Sequence, residues 1–331
     1  MKGSSKVSQR TLKLAGAAVV IASSVLLSAC GGQNQPSGSG QGSSAASELS
    51  GSVAVDGSST VAPLTEAAAS LFRDEQPGVN VSVATSGTGG GFKKFCAGET
   101  DISDASRAIK DEEKAECEKN GIAFTEVIVA NDGLSVVVNP ENTWANCLTT
   151  AQLKKMWSPE SEGKVLNWNQ IDPSFPDQKL TLFGAGTDSG TFDYFTEAIN
   201  GEEGASRTDY SPSEDDNVTV QGVQGDKGAV GYFGLSYVEE NQGAVKAVQV
   251  DGGNGCVAPS KETVQNQSYK PLSRPLFVYV KHDSYKNKPE VRGFVDFYVE
   301  NEAQVSEEAL FIGLTPEQKK TAQDELGSLV A

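Results

Sequence analysis

A short strand pattern that runs through a small polar turn into a helical pattern recurs along this chain, and this repetition constrains its fold more than any other feature. The first unit comprises apolar residues 53–55, a turn at residues 56–60 and a helical spacing over residues 61–72. The second comprises alternating residues 79–83 and a glycine-rich turn at residues 86–91. Such alternation of strands and helices predicts an α/β fold with a mostly parallel sheet.

The same pattern continues towards the C-terminus. A third polar turn lies at residues 101–107, and a fourth, at residues 184–191, precedes a helical stretch at residues 192–199. Thr315 followed by Pro316 is typical of a helix start. Further strands are predicted at residues 124–129, 134–138, 180–183, 229–233, 245–250 and 275–280, and further helices at residues 150–157 and 291–300.

The N-terminal residues have the order of an export signal. Four basic residues precede an apolar stretch at residues 14–27, which is shorter than the roughly 20 residues that a membrane-spanning helix needs. The stretch ends in Leu27-Ser28-Ala29-Cys30-Gly31, which resembles a bacterial lipobox, whose cysteine is acylated and becomes the first mature residue. We therefore predict a signal peptide at residues 1–29, a lipid anchor on Cys30 and a location in the bacterial cell envelope. The alternative is an ordinary signal peptide cleaved near Ala29.

The segment after the signal has the composition of a tether. Residues 30–50 are almost entirely Gly, Ser, Gln, Asn, Ala and Pro, which cannot bury enough apolar surface to fold, and a flexible coil of this length spans roughly 25 Å. The remaining chain exceeds the usual length for a single core, so two lobes are expected. We place lobe 1 at residues 51–138 plus 275–331 and lobe 2 at residues 139–274, so that the chain crosses between the lobes twice.

The charge balance excludes two classes of partner. The predicted mature chain has 23 basic and 44 acidic residues, a net charge of −21, because the four other basic residues lie in the signal peptide. Nucleic acids and anionic lipid surfaces need a basic face, so neither is expected to bind. Capture of an anion would have to rest on local hydrogen bonds and helix N-termini, without long-range attraction.

Apart from Cys30, the cysteines form an even set in an exported chain, where disulfides persist. Three pairings are possible, and proximity favours Cys96 with Cys117, which leaves Cys147 with Cys256. A zinc site is the disfavoured alternative, because the sequence has no CxxC pair and only one histidine. We therefore expect disulfides and no metal.

The polar turns carry the functional prediction. A helix N-terminus presents unpaired backbone N–H groups and a positive partial charge, and glycine lets a ligand approach the backbone closely. With hydroxyl donors at the same turns, the result is a pocket for an oxyanion that has lost its water shell. Ser and Thr are also ordinary helix caps, so a single such turn would mean little. Several in one chain indicate a ligand.

Six stretches between residues 53 and 313 together match the motifs of a known family. They are Asp56-Gly-Ser-Ser-Thr-Val-Ala-Pro63, Ser86-Gly-Thr-Gly-Gly-Gly-Phe-Lys93, Asp104-Ala-Ser-Arg107, Gly186-Thr-Asp-Ser-Gly-Thr-Phe192, Ser213-Glu-Asp-Asp-Asn217 and Gly228-Ala-Val-Gly-Tyr232. In these stretches the chain resembles the phosphate-binding proteins of phosphate ABC importers. The resemblance implies a two-lobed periplasmic-binding-protein fold of type II, with a mixed, mostly parallel sheet in each lobe and a two-strand hinge. It also implies a monomer that is not an enzyme, needs no cofactor, binds inorganic phosphate and delivers it to ABC permease subunits.

Carried over position by position, the resemblance implies an anion site built by turns of both lobes. Arg107 would supply the local cation, since a guanidinium fork matches two phosphate oxygens. The alternative for Arg107 is a surface or interlobe salt bridge. The predicted phosphate ligands are Ser59, Thr60, Thr88, Ser106, Arg107, Ser189, Gly190 and Thr191.

The sequence departs from the family pattern at two positions. Some members have an Asp where Ser106 falls, and an Arg shortly before the Ser-Gly-Thr turn, where this chain has Ala185-Gly186. An acidic acceptor would distinguish protonated phosphate from fully ionised sulfate, because a carboxylate accepts the phosphate proton. The choice of phosphate over sulfate therefore rests on the resemblance. The candidate acceptors are Asp56, Asp104, Asp188, Asp215 and Asp216.

Other functions fit the sequence less well than phosphate binding. A secreted hydrolase is disfavoured, because the neighbourhood of Ser189 misses the G-x-S-x-G pattern and His282 is the only histidine that a triad could use. Two alternatives stay open at this point. One is a binder of a sulfate-like oxyanion, and the other is an envelope interaction or sensor module without a small ligand.

Overall fold

Strands and helices alternate along the chain, as the sequence pattern predicts. The computed structural model describes residues 48–187, 189–213 and 215–330, so the predicted signal peptide, Cys30, most of the tether and Asp188 lie outside the described residues. The strands are β1 (Gly51–Gly57), β2 (Val79–Ala84), β3 (Ile102–Ala105), β4 (Phe124–Val138), β5 (Cys147–Thr149), β6 (Thr181–Ala185), β7 (Ser211–Ser213), β8 (Ala229–Gly234), β9 (Lys246–Ala247), β10 (Gln249–Asp251), β11 (Cys256–Val257) and β12 (Ser273–Lys281). The helices are α1 (Ala62–Glu75), α2 (Thr88–Cys96), α3 (Asp111–Lys119), α4 (Thr150–Trp157), α5 (Trp168–Ile171), α6 (Gly190–Asn200), α7 (Asp216–Gly225), α8 (Leu235–Glu240), α9 (Lys261–Gln265), α10 (His282–Asn287), α11 (Pro289–Glu300), α12 (Glu302–Glu308) and α13 (Pro316–Ser328). Among the described helices, none is long and apolar enough to cross a membrane.

Local sequence signals explain where the first and last helices form. In α1, the buried residues Leu64, Ala68 and Phe72 recur every fourth position and give the helix one apolar face. At the start of α13, Thr315 accepts a hydrogen bond from the backbone N–H of Gln318, whose side chain bonds back to the Thr315 N–H. This capping box confirms the predicted helix start.

The main sheet has the strand order β2-β1-β3-β12-β4-β8-β6-β7, and β9 also pairs with β4. Strand β1 is parallel to β2 and β3, and β6 is parallel to β7 and β8. The central strands β4 and β12 are antiparallel to each other and to their outer neighbours β8 and β3. A second sheet has the order β11-β10-β5, so the strand predicted at residues 245–250 is divided between two sheets.

Strand β4 connects two apolar cores. Val127 and Ala130 pack with β1, α1 and α11 in one core, whereas Leu134 and Val138 pack with α4, α6 and β8 in the other. The sequence predicted two strands here, yet 15 residues form one continuous strand. Strand β4 therefore runs from one apolar core into the other, with residues 131–133 between them. The lobe boundaries at residues 138 and 139 stay a prediction.

Two disulfides close loops of very different length. Cys96 is bonded to Cys117, which joins α2 to α3, and Cys147 is bonded to Cys256, which joins β5 to β11. This is the pairing that sequence proximity favours.

Candidate functional site

The polar turn before α1 touches the turn that begins α6. Thr60 Oγ1 donates a hydrogen bond to the Gly190 carbonyl oxygen at 3.2 Å, although the two residues are 130 positions apart. Ser59 Oγ donates to Asp193 Oδ2 at 3.5 Å. A Cβ atom on Gly190 would lie 2.5 Å from Thr60 Oγ1, so this approach requires glycine. The structure thus brings together predicted ligands from both halves of the chain.

The second and third predicted turns also meet. Thr88 Oγ1 and Ser106 Oγ lie 3.1 Å apart, and the Ser106 backbone N–H donates to Thr88 Oγ1 at 3.3 Å. Thr88 begins α2 directly after Gly87, whose φ of 76° lies in the left-handed region that favours glycine. The two hydroxyls therefore form one polar pair at the start of α2.

Ser189, in the fourth polar turn, caps the N-terminus of α6. Its Oγ accepts a hydrogen bond from the backbone N–H of Thr191 at 3.1 Å. This contact is ordinary helix capping, so the Ser189 hydroxyl is explained without a ligand. Thr191 itself lines a cleft beside Asp132.

Arg107, the predicted cation, forms a two-pronged ion pair within its own lobe. Its Nη1 and Nη2 atoms donate to the two carboxylate oxygens of Glu113 at 2.9 and 2.8 Å. Nη1 also donates to the Ala108 carbonyl oxygen at 3.2 Å. The hydrogen bonds to Glu113 raise the pKa of Arg107 above its usual value. The fork that would hold two phosphate oxygens thus faces a carboxylate.

Arg274, which the sequence analysis missed, lies among the predicted ligands. Its Nη2 donates to Thr60 Oγ1 at 3.0 Å, and its Nη1 donates to the Ser106 carbonyl oxygen at 3.3 Å. Its Nε donates to Asp132 Oδ2 at 3.2 Å, and burial raises the pKa of Asp132. One signal in the sequence pointed to it: Arg274 directly precedes the apolar strand predicted at residues 275–280, and an arginine beside such a strand is rarely buried unless it has a specific partner.

Asp56 and Asp104, two of the candidate proton acceptors, differ in their partners. Burial would raise the pKa of Asp56, but hydrogen bonds from Lys94 and Ser86 outweigh it and lower that pKa. Asp104 is fully buried and accepts from Thr65 Oγ1 with both carboxylate oxygens, at 3.0 and 2.9 Å. Burial raises the pKa of Asp104 to about 8. Asp104 is therefore largely protonated at neutral pH.

The other acids at the turns divide between caps and cleft residues. Asp215 caps α7, and Asp216 lines the same cleft as Asp132 and Thr191. Asp193, which the sequence analysis also missed, has a pKa that is raised by burial and by the nearby Glu203. Within the described ranges, His, Cys, Asp and Glu side chains form no cluster of three that could hold a metal ion.

Comparisons with known proteins decide the family. A family model described as a PBP superfamily domain matches residues 42–302. The chain belongs to the PBP superfamily. Protein SphX of Synechocystis sp. is 48% identical over 271 residues, which cover 82% of this chain and 81% of that protein. The phosphate-binding protein PstS of Staphylococcus epidermidis is 39% identical over 311 residues, which cover 94% of this chain and 90% of that protein.

A solved relative supports the same placement within the PBP superfamily. The crystal structure of a possible phosphate binding protein from Planctomyces limnophilus is 47% identical, with a TM-score of 0.81, and the match covers 86% of this chain and 100% of that one. The predicted α/β, type II periplasmic-binding-protein fold is confirmed, and so is the resemblance to phosphate-binding proteins. The ligand set named from the sequence stays a prediction.

Proposed function

We propose that this chain captures inorganic phosphate between its two lobes and delivers it to an ABC permease. The observation that carries the proposal is the contact between Thr60 and Gly190, which joins predicted ligands from distant parts of the chain. Phosphate as the anion is supported by the name of the Staphylococcus epidermidis relative, a phosphate-binding protein that is 39% identical.

The proposed site uses three helix N-termini. The turn before α1 supplies Ser59 and Thr60, the first residue of α2 is Thr88, and the turn after β3 supplies Ser106 and Arg107. The start of α6 supplies Ser189, Gly190 and Thr191 from the opposite side. Backbone N–H groups at these helix starts suit a dehydrated oxyanion, and they matter here because the predicted mature chain carries a net charge of −21.

Capture is proposed to proceed by hinge closure. Strands β4 and β12 run side by side from one apolar core towards the other and are the two connections about which the lobes would turn. In this mechanism one lobe binds the anion first, and the other completes its hydrogen bonds. The loaded monomer then docks on the permease, whose conformational cycle releases the anion.

Isothermal titration tests whether the protein binds phosphate. The protein is expressed in a bacterial host that exports it, and it is purified in the form that the host produces. We expect saturable binding of phosphate and none of sulfate. Thr60→Val removes, at nearly constant volume, the hydroxyl that donates to Gly190 and accepts from Arg274. It is expected to weaken phosphate binding by about 10- to 100-fold, the range for a hydrogen bond to a charged group. Thr321→Val on α13 is the matched control, with unchanged affinity.

Each outcome of the titration has a defined meaning. No heat with either anion would refute the proposed function and favour an interaction or sensor module. A preference for sulfate would keep the fold and change the ligand.

We also propose that acylated Cys30 anchors the chain to the cell envelope. Cys30→Ser is expected to abolish incorporation of radiolabelled palmitate and to move the protein from the membrane fraction to the soluble fraction. Ser37→Ala, in the predicted tether, should change neither. Unchanged palmitate labelling in the Cys30→Ser variant would contradict the anchor.

A further inference from the structure

We propose that Arg274, rather than Arg107, is the main guanidinium that binds the anion, and that Asp132 positions it. The inference rests on the proposed function, because it names the cationic partner of the same phosphate site.

The pairing of β12 with β4 places Arg274 at the proposed site. Arg274 on β12 lies directly opposite Asp132 on β4 in the antiparallel register. Cross-strand neighbours of opposite charge interact on the same face of a sheet. Because β4 and β12 run between the two cores, the guanidinium lies at the level where the lobes meet. Its side chain is only 11% exposed.

The hydrogen bonds of Arg274 leave both ends of its fork oriented towards the predicted ligands. Asp132 takes only the Nε donor, at 3.2 Å. Nη1 reaches the turn of Ser106 and Nη2 reaches the turn of Thr60. Each Nη carries two hydrogens and uses one of them in these contacts, so one N–H on each remains for an anion. Two N–H donors of one guanidinium can bind two oxygens of a phosphate.

Arg107 differs from Arg274 in how its hydrogen-bond donors are used. Glu113 takes one hydrogen from each of its Nη atoms, and the Ala108 carbonyl oxygen takes the second hydrogen of Nη1. The bidentate carboxylate fills the Nη1/Nη2 end of the fork and neutralises its charge, and among the described contacts the Nε hydrogen and one Nη2 hydrogen of Arg107 remain. An anion at Arg107 would therefore share the guanidinium with Glu113, whereas Asp132 takes only Nε of Arg274 and leaves one hydrogen on each Nη.

A cavity of about 370 Å³ gives an anion access to this guanidinium. Its lining includes Ser106, Tyr194, Ser273 and Arg274. Ser273 is only 8% exposed, and its Oγ has no hydrogen-bond partner within the described part of the chain. A buried hydroxyl without a partner is costly, and a bound oxyanion would satisfy it. The cavity thus offers a second donor beside Arg274.

Tyr194 holds the plane of the guanidinium and links it to α6. The Arg274 guanidinium carbon lies 3.5 Å from the centre of the Tyr194 ring, and Tyr194 Oη donates to the Pro271 carbonyl oxygen at 2.8 Å. Stacking on an aromatic face restricts the orientation of an arginine. Since α6 also carries Gly190, Arg274 contacts both sides of the proposed site.

Phosphate titration of matched variants tests the inference. Arg274→Gln is expected to weaken binding by at least about 100-fold, as for loss of one partner of a buried charge contact. Arg274→Lys keeps the charge but not the fork, and we expect a loss of at least about 10-fold. Arg292→Gln, on the surface of α11, is the matched control and should bind like the unaltered protein.

A double variant separates binding from a structural role. Arg274→Gln leaves Asp132 buried without a cation, whereas Arg274→Gln combined with Asp132→Asn restores a neutral pair. If Arg274 binds the anion, the double variant stays at least about 100-fold weaker while its melting temperature without phosphate recovers. Recovery of phosphate affinity in the double variant would show a purely structural counter-charge and overturn the inference.

The failure of this inference is distinguishable from failure of the proposed function. If the unaltered protein binds no phosphate, the proposed function fails. If it binds phosphate and Arg274→Gln and Arg274→Lys bind within about threefold of it, only the inference fails. A larger loss with Arg107→Gln than with Arg274→Gln would likewise overturn it, because Arg107 would then be the main cation.

Discussion

Replacing Gly190 with alanine is expected to weaken phosphate binding by about 100-fold. The new Cβ would lie 2.5 Å from Thr60 Oγ1 and 2.7 Å from the Thr60 backbone nitrogen, and the backbone cannot yield as a flexible side chain can. Forcing extra atoms into a packed contact costs about 1–3 kcal/mol, and the backbone clash places this case at the upper end. The clash opposes closure of the lobes, so the fraction of binding-competent protein falls. Isothermal titration with phosphate measures the effect.

Gly89→Ala is the matched control for this experiment. Gly89 also lies in the first turn of a helix at the site, but its Cβ would meet nothing closer than 3.7 Å, an ordinary contact with Arg107 Nη2. We expect wild-type affinity for Gly89→Ala. The melting temperature of Gly190→Ala without phosphate should change little, because opening of the lobes relieves the clash. Wild-type affinity in Gly190→Ala would contradict the proposal that the two turns close on the anion.

The regular elements of the fold could be predicted because their signals are local. The period-two alternation at residues 79–83 and the buried spacing in α1 each lie within a single element. The joined strand β4 could not be predicted in this way. Its middle, Asn131-Asp132-Gly133, has a composition typical of a turn. It stays extended because Asn131 pairs with Ile312, and Asp132 with Arg274, both distant in sequence.

The candidate site shows the same division between local and distant information. Its hydroxyl and glycine ligands stand in recognisable motifs at helix starts, and the structure brings Thr60 to Gly190 and Thr88 to Ser106. Arg274 belongs to no such motif. Its place at the site follows from its register opposite Asp132. The register between two strands that lie more than 100 residues apart cannot be predicted from the sequence of either strand alone.

Asp104→Asn is expected to stabilise the protein increasingly as the pH rises from 5 to 8. Asp104 is fully buried beneath the first polar turn, and its pKa is raised to about 8. In the unfolded chain its pKa is about 4, so between these values unfolding releases a proton. Asp104 therefore lowers the free energy of unfolding by about 1.4 kcal/mol for each unit that the pH rises. The decrease stops once the pH exceeds the pKa of Asp104 in the folded protein. Asparagine stays neutral and removes that decrease.

Urea unfolding at several pH values between 4 and 9 measures this effect as the difference in free energy of unfolding between Asp104→Asn and the unaltered protein. The difference should grow by about 1.4 kcal/mol per unit from pH 5 and level off above pH 8. Asp101→Asn is the matched control, because burial would raise the pKa of Asp101 but hydrogen bonds from Lys288 and Ser284 outweigh it and lower that pKa. That variant should be less stable than the unaltered protein by a constant amount over this range, since Asp101 stays ionised in both states and its stabilising effect is lost only as the pH falls below about 4. A pH-independent difference for Asp104→Asn would instead mean that Asp104 stays ionised in the folded protein, with a counter-charge reaching it beneath the first turn.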